Sequence, residues 1–448
     1  MALHTSTDLR SSFARRLSSM YGGEVPAYTT LVDVAHEVNA EVLAREGSAA
    51  ERLGSIDRVT AERHGAIRVG NPAELAQVGR LFAAMGMHPV GMYDLRDAEP
   101  TPLPIVSTAF RPVDPVELAA NPFRVFTSML VPEDRRFFDA GLQARVQAFL
   151  GRRTLFPPEL LALADRAVAE GGLPAADAGR FLDLATASFA LSPEPVDKPW
   201  YDELSAVSGV AADIAGVTST HVNHLTPRVL DIDLLYRLMQ ERGVEMIDEI
   251  QGPPAWAGPA VLLRQTSFRA LAEARLVRSA DGTVAPGELR VRFGEVEARG
   301  IALTPAGRDV VDRLPADPQA WAAALPGTEA GFADAGLAWF TAALDPAAGE
   351  LASAGRRPPG DAGGLAAEAW VRLDPVVYED FLPRSAAGIF HSNLTAAGQA
   401  DATVEGALRD AAWLAGALGR EVHDPMDLYA AQVEASWAAV RSALGVPG

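Results

Sequence analysis

Glu62-Arg63-His64-Gly65-Ala66-Ile67-Arg68-Val69-Gly70 has an echo 160 positions on (224 − 64), at His224-Leu225-Thr226-Pro227-Arg228-Val229. In both stretches a histidine is followed four residues later by Arg-Val. In both, a helical pattern comes next and runs into a glycine with a methionine close by, Met85-Gly86-Met87 in the first and Gly243-Val244-Glu245-Met246 in the second. Self-similarity of this kind marks a repeated structural unit. The first copy reads as a strand placing His64, Ala66 and Arg68 on one face and Ile67 and Val69 on the other. Asn71-Pro72 then starts a helix whose apolar stripe is Leu75, Val78, Leu81, Phe82 and Met85. Strands are expected at 89–95, 103–111 and 122–131, so one unit is a strand, a helix and about three strands.

The second copy starts at Thr218. Alternation there puts His221, Asn223 and Leu225 on one face and Val222 and His224 on the other. Asp231 or Asp233 caps a helix with Leu234, Leu235, Leu238 and Met239 on its stripe. Strand-like runs follow at 260–267 and 289–297. Each unit's strands bury one face against their own helix, so the two units are expected to pack side by side into one open, curved sheet.

Around this pair the chain divides into four regions. Residues 1–133 hold N-terminal helices, near 8–20 and 28–45, and the first unit; His36 in the second helix reads as a surface histidine. Residues 134–216 are rich in Ala and Leu and read as a helical insert or lid, ending in one helix from Trp200 to Gly216. Residues 217–311 hold the second unit. Residues 312–448 read as an Ala/Gly/Pro-rich excursion with a short helix around 337–344, then a loop near 378–394 and helices near 402–418 and 426–444.

Composition bounds the function. The net charge is −19, from 39 Lys and Arg against 58 Asp and Glu. That sign disfavours nucleic acid and anionic membranes, both of which select basic patches. With 0 cysteines there is no disulfide, thiolate metal site or cysteine nucleophile. No secretory pattern or apolar run of about 18 residues is read, which makes a cytoplasmic protein the default.

Two histidines on equivalent strands of paired units can meet at a metal. A mononuclear non-haem iron(II) site takes two imidazoles and one carboxylate on one face of the ion and leaves the other face open. The carboxylate is expected from a late strand of the second unit, where Glu295 and Glu297 share a face and spacing does not choose between them. Gly294 allows close backbone approach there. Arg68 shares a face with His64, with Cα atoms about 13 Å apart at about 3.3 Å per residue. It reads either as a bidentate clamp for a substrate carboxylate or as an Arg–Asp pair. Gln265, in an otherwise apolar strand, faces the same cavity or makes a buried structural hydrogen bond.

The opening of the second unit resembles a vicinal oxygen chelate module. The strings RHGAIRVG, STAFRP, NPFRVFTS, VNHLTPR, LLRQTSF, RFGEVEARGIALTP and YEDFLPRSAAGIFHSNL resemble the 2-oxoadipate dioxygenase/decarboxylase family from about residue 60 to 395. The resemblance implies an α+β fold of paired vicinal-oxygen-chelate-like βαβββ modules forming a half-barrel, with helical insertions and a helical C-terminal part. It implies an Fe(II) enzyme that converts a small 2-oxo dicarboxylate, 2-oxoadipate, and O2 to 2-hydroxyglutarate and CO2 in lysine catabolism. By motif, the metal ligands would be His64, His224 and Glu295. Arg68 would be catalytic, and His64, Arg68, Arg384 and Ser385 would meet the substrate. Alternative readings are an extradiol dioxygenase, a glyoxalase-like isomerase with a fourth protein ligand, or a metal-free binding protein.

Overall fold

The computed structural model describes residues 3–98, 101–289, 292–382 and 406–446. The two echoing strands are direct neighbours. Strand β1 (Arg63–Val69) runs antiparallel to the second unit's first strand (His224–Pro227), with Ala66 opposite His224 and His64 opposite Thr226. In the first unit, β1 is followed by α4 (Pro72–Ala83), β2 (His88–Asp94), β3 (Ile105–Arg111) and β4 (Arg124–Leu130). Here α1 is Ser6–Glu24, α2 Pro26–Glu46 and α3 Ile56–Ala61, and α5 (Pro115–Ala120) lies between β3 and β4. β1 pairs parallel with β4, and the antiparallel pairs β3–β4 and β2–β3 extend the sheet outward. Asn71 caps α4 through its side chain, with Pro72 in the first turn, as the Asn-Pro pair predicts. At α1 the cap is Thr5, and Asp8 completes a capping box.

The second unit repeats this order. A short β5 (Val196–Asp197) precedes it. Its strands are β6 (His224–Pro227), β7 (Leu263–Ser267) and β10 (Glu295–Arg299), with an inserted hairpin of β8 (Glu273–Arg278) and β9 (Val284–Leu289). β6 runs parallel to β10 through the Arg228–Glu297 bridge, β10 pairs antiparallel with β7, and bridges at Met246–Phe268 and Gln251–Gln265 add residues 246–251 outside β7. The expected strand over 289–297 is therefore two strands, interrupted at Phe293-Gly294. A Cβ on Gly294 would come within 1.9 Å of the Phe268 ring, so only glycine fits this close approach.

The sheet has two unlike faces. Ala66 packs inward with Tyr93, Ala109, Phe126 and Phe381. Ile67 and Val69 belong to the main outer core with Val78 and Phe82 of α4 and Leu9, Phe13 and Val34 of α1 and α2. Val222 and Leu225 both enter that core, contrary to the alternation expected at 221–225. The regular strand begins only at His224, so a period of two does not apply before it.

The insert forms α6 (Ala140–Leu150), α7 (Pro158–Glu170), α8 (Ala175–Ser188), α9 (Lys198–Val207) and α10 (Gly209–Ala215). Leu160 and Leu163 of α7 and Phe181 of α8 join the outer core. The single helix expected from 200 to 216 breaks at Ser208, whose hydroxyl accepts from Val210 N–H and caps α10. Ser before Gly favours a cap over a continuous helix. The second unit's helix is α11 (Ile232–Glu241), capped by Asp231.

The helix expected around 337–344 is a strand, β11 (Phe340–Leu344), antiparallel to β12 (Val371–Pro375). Alternate residues Phe340 and Ala342 are buried, and Ala342 N–H donates to Ser436 Oγ at 3.0 Å. Cross-strand pairing and packing override the helix preference of the alanines here. The chain closes with α12 (Ala411–Leu418) and α13 (Pro425–Leu444). Among the described residues, no helix is long and apolar enough to cross a membrane.

Candidate metal centre

The register of the sheet assembles the site. His64 on β1 and His224 on β6 are diagonal neighbours across the antiparallel pair, with ring centroids 5.2 Å apart. Glu295 opens β10, the strand on the other side of β6. One ligand atom from each of His64, His224 and Glu295 lies within 4.8 Å of the other two, and all three residues are buried. The β1–β6 ladder holds the two histidines in register, and the Arg228–Glu297 bridge sets β10, with Glu295, beside them.

Each donor is oriented by a neighbour. His64 Nδ1 lies 3.1 Å from Glu297 Oε2. Glu297 also accepts from Arg299 Nε at 2.7 Å, Arg299 Nη2 at 3.0 Å and Arg124 Nη1 at 3.3 Å. Its charge is therefore taken up behind His64, whereas Glu295 faces the cluster. His224 Nδ1 is 2.7 Å from Glu295 Oε2 and 3.0 Å from Thr226 Oγ1, which also reaches Glu295 Oε2 at 3.3 Å. Phe381 stands edge-on to the His64 ring at 4.3 Å, and Phe293 stacks on the His224 ring at 5.3 Å.

Burial holds the His64 imidazole below its usual pKa, with Glu297 pulling the other way. A neutral imidazole is the metal-binding form. For Glu297, burial alone would raise the carboxyl, but Arg299, His64 and Arg124 together hold it well below the usual range. It stays ionised and fixes the proton on Nδ1, directing the Nε2 lone pair of His64 away from it.

That lone pair is the test of fit. His64 Nε2 is buried and has no hydrogen-bond partner among the described residues. An orphaned buried nitrogen costs about 1–3 kcal/mol, and a cation among two imidazoles and a carboxylate would satisfy it. The donor set suits iron(II). The twofold relation also shows what is missing from a four-ligand site. β1 and β4 pair with an offset of 60 (124 − 64) and β6 and β10 with an offset of 69 (297 − 228). The β1 residue equivalent to Thr226 is Ala66, so the mate of Glu295 (226 + 69) is Phe126 (66 + 60). Phe126 offers no donor, and it packs against Phe381 at 4.9 Å and Tyr93 at 5.4 Å.

Arg68 lies on the same face as His64 and forms a buried ion pair with Asp213 of α10. Asp213 also accepts from Asn223 Nδ2 at 2.8 Å and meets His221 Nε2 at 3.3 Å. Against the cost of burial, Arg68 and His221 hold its carboxyl well below the ordinary value. Gln265 is buried on β7 directly across from Glu297. Arg384 and Ser385 lie outside the described residues.

Sequence reasoning missed the ionic layer behind the cluster. Glu62 receives Arg124 at 2.7 Å, Arg228 at 3.0 Å and Arg299 at 3.3 Å. Glu379 receives Arg124 and Arg58, and Asp380 receives Arg111 at 3.0 Å. The signal was present: Glu62, Arg124, Arg299 and Glu379 all sit inside or beside the strings quoted above, as charges where a strand should be buried.

Comparison with known proteins gives a consistent result. The sequence profile described as 2-oxoadipate dioxygenase/decarboxylase matches residues 13–393. A 2-oxoadipate dioxygenase/decarboxylase of Mycobacterium bovis is 61% identical over 424 residues, covering 94% of this chain and 95% of that protein. The protein of the same name from Pseudomonas putida is 40% identical over 463 residues, covering 98% and 97%. The crystal structure of the Pseudomonas putida hydroxyglutarate synthase in complex with 2-oxoadipate superposes with a TM-score of 0.85 at 37% identity, covering 99% of each chain. A glyoxalase-superfamily protein from Ralstonia eutropha JMP134 shares the fold alone, with a TM-score of 0.50 at 20% identity over 66% of this chain and 84% of that one.

Proposed function

Since this chain belongs to the 2-oxoadipate dioxygenase/decarboxylase family, we propose that it converts 2-oxoadipate and O2 to 2-hydroxyglutarate and CO2 at an iron(II) held by His64, His224 and Glu295. The atoms balance without a further reductant. The substrate loses its C1 carboxyl as CO2, and the five-carbon product gains a carboxylate oxygen at the former keto carbon and a hydroxyl beside it. Two observations carry the metal assignment: His64 Nε2 is buried without a hydrogen-bond partner among the described residues, and one ligand atom from each of His64, His224 and Glu295 lies within 4.8 Å of the others.

When bound, iron(II) supplies Lewis acidity toward the 2-oxo acid and activation of O2. The protein's residues do the rest. Glu297 and Thr226 fix the rings and the carboxylate in position, so little reorganisation is needed on binding. Phe126 leaves its side of the cluster without a protein donor, which keeps room for substrate and O2. Phe126, Phe381 and Tyr93 form an apolar wall that keeps water from the reacting carbons. Arg68, oriented by Asp213, offers a guanidinium to a substrate carboxylate and fixes the chain of the diacid relative to the cluster.

The experiment is reconstitution. Protein stripped of metal and reloaded anaerobically with Fe(II) should release CO2 and form 2-hydroxyglutarate when 2-oxoadipate and O2 are added. Turnover by the stripped protein would exclude the metal.

A further inference from the structure

On the outer side of the sheet, α1 and α2 diverge from the start of β1 and leave a groove of about 770 Å³. Its basic side chains come from three elements: Arg15 on α1, His36 on α2 and Arg63 on β1. Among the described residues, no Asp or Glu lines it. This runs against the composition of the chain, in which acidic residues outnumber basic ones by 58 to 39. It also runs against the arginines behind the metal cluster, each of which faces a carboxylate.

Among the described residues, the arginines of the groove have no such partners. Arg63 Nη1 donates to the carbonyl oxygens of Thr60 at 2.8 Å and Glu62 at 2.7 Å, while its Nε is buried and without a hydrogen-bond partner among the described residues. Among the described residues Arg15 donates only to the Ser12 hydroxyl, at 3.2 Å. Burial and then the nearby Arg63 hold His36 below its usual pKa; Asp33, outside the groove lining, opposes them. Hydroxyls of Ser11, Thr29 and Thr60 stand beside the two guanidiniums, and Tyr28 and Val32 give the groove an apolar wall. Two uncompensated guanidiniums among hydroxyls, beside an apolar wall, are complementary to an organic anion.

We propose that this groove binds a small oxyanion-bearing metabolite, its anionic head between Arg15 and Arg63 and its body against Tyr28 and Val32. The head is a phosphate or a carboxylate, which the same donors recognise. Arg63 and His64 are consecutive on β1 and project to opposite faces of the sheet. Occupancy of the groove therefore acts on the residue next to the first histidine of the cluster, and the site is placed to modulate it from outside.

The test is calorimetric titration of the full-length protein with inorganic phosphate and, separately, with benzoate, a carboxylate that is neither substrate nor product of the proposed reaction. It is run on the unaltered chain and on Arg15→Gln, Arg63→Gln and Arg237→Gln, the last an exposed arginine of α11 away from the groove. The expected result is saturable binding that weakens at least tenfold in Arg15→Gln and Arg63→Gln and not in Arg237→Gln. Such binding by phosphate alone identifies a phosphorylated ligand, and by benzoate a carboxylate. Arg15 is exposed, so its replacement does not threaten folding. No saturable binding of either probe, binding that Arg15→Gln leaves unchanged, or equal weakening in Arg237→Gln would overturn the proposal.

Discussion

His64 Nδ1 and Glu297 Oε2 stand 3.1 Å apart in a fully buried pair, and this contact assigns different work to two carboxylates on one strand. Glu297 orients the histidine from behind, and Glu295 joins it at the cluster. Glu297→Gln should therefore weaken iron binding about 10- to 100-fold and restore most of kcat at saturating Fe(II). Glu295→Gln should leave no turnover at any Fe(II) concentration. Metal titration followed by oxygen uptake distinguishes the two, and the reverse pattern would exchange their roles.

Arg68 and Asp213 should matter to substrate rather than to metal. Arg68→Lys keeps a charge but not the planar fork. The expected loss in kcat/KM for 2-oxoadipate is about 2–4 kcal/mol, roughly 30- to 1,000-fold, with iron content unchanged. Asp213→Asn should raise KM in the same direction by releasing the guanidinium from its anchor. Unimpaired turnover by Arg68→Ala would make the Arg68–Asp213 pair structural only.

Phe126 is the position where a fourth ligand would stand. Phe126→Asp should keep or tighten metal binding yet remove oxygenase activity, because the added carboxylate fills the side reserved for substrate and O2. Iron affinity and CO2 release measured together test this; a fully active Phe126→Asp variant would show that the cluster opens elsewhere.

Acid should weaken the fold through the layer behind the cluster. Burial would raise Glu62, Glu297 and Glu379, but their arginine neighbours hold all three below the ordinary glutamate value. Each folded pKa lies below the unfolded one, about 4.3, so the native state binds fewer protons. The stabilisation is present above that pH and lost as pH falls toward the folded values. Thermal melts of metal-free protein should show Tm falling steeply once pH drops below about 4.5. Arg124→Met, which strips the shared partner from three carboxylates, should cost about 3–5 kcal/mol at neutral pH.

Much of this architecture was legible because repetition carries more information than any single motif. The His64 and His224 stretches announced paired units, and strand alternation put Arg68 on the histidine face. Glu295 against Glu297 was not legible, since residues two apart on a strand share a face and only tertiary contacts to Arg299 and Arg124 separate them. Asp213 was hidden in an Ala-rich stretch where Ser208 breaks one expected helix into two. The 340–344 strand was read as helix because its alanines say nothing of the β12 edge they pair with. Arg384 and Ser385 rest on resemblance alone.

The central claim is that His64, His224 and Glu295 would hold the iron(II) needed for the oxidation of 2-oxoadipate by O2. The most direct measurement is the stoichiometry of a single anaerobic Fe(II) loading followed by 2-oxoadipate and limiting O2. The expected result is one Fe(II) bound per chain and one CO2 and one 2-hydroxyglutarate per O2 consumed, with both iron and products lost in His64→Ala. Full iron content and full product yield in His64→Ala would contradict it.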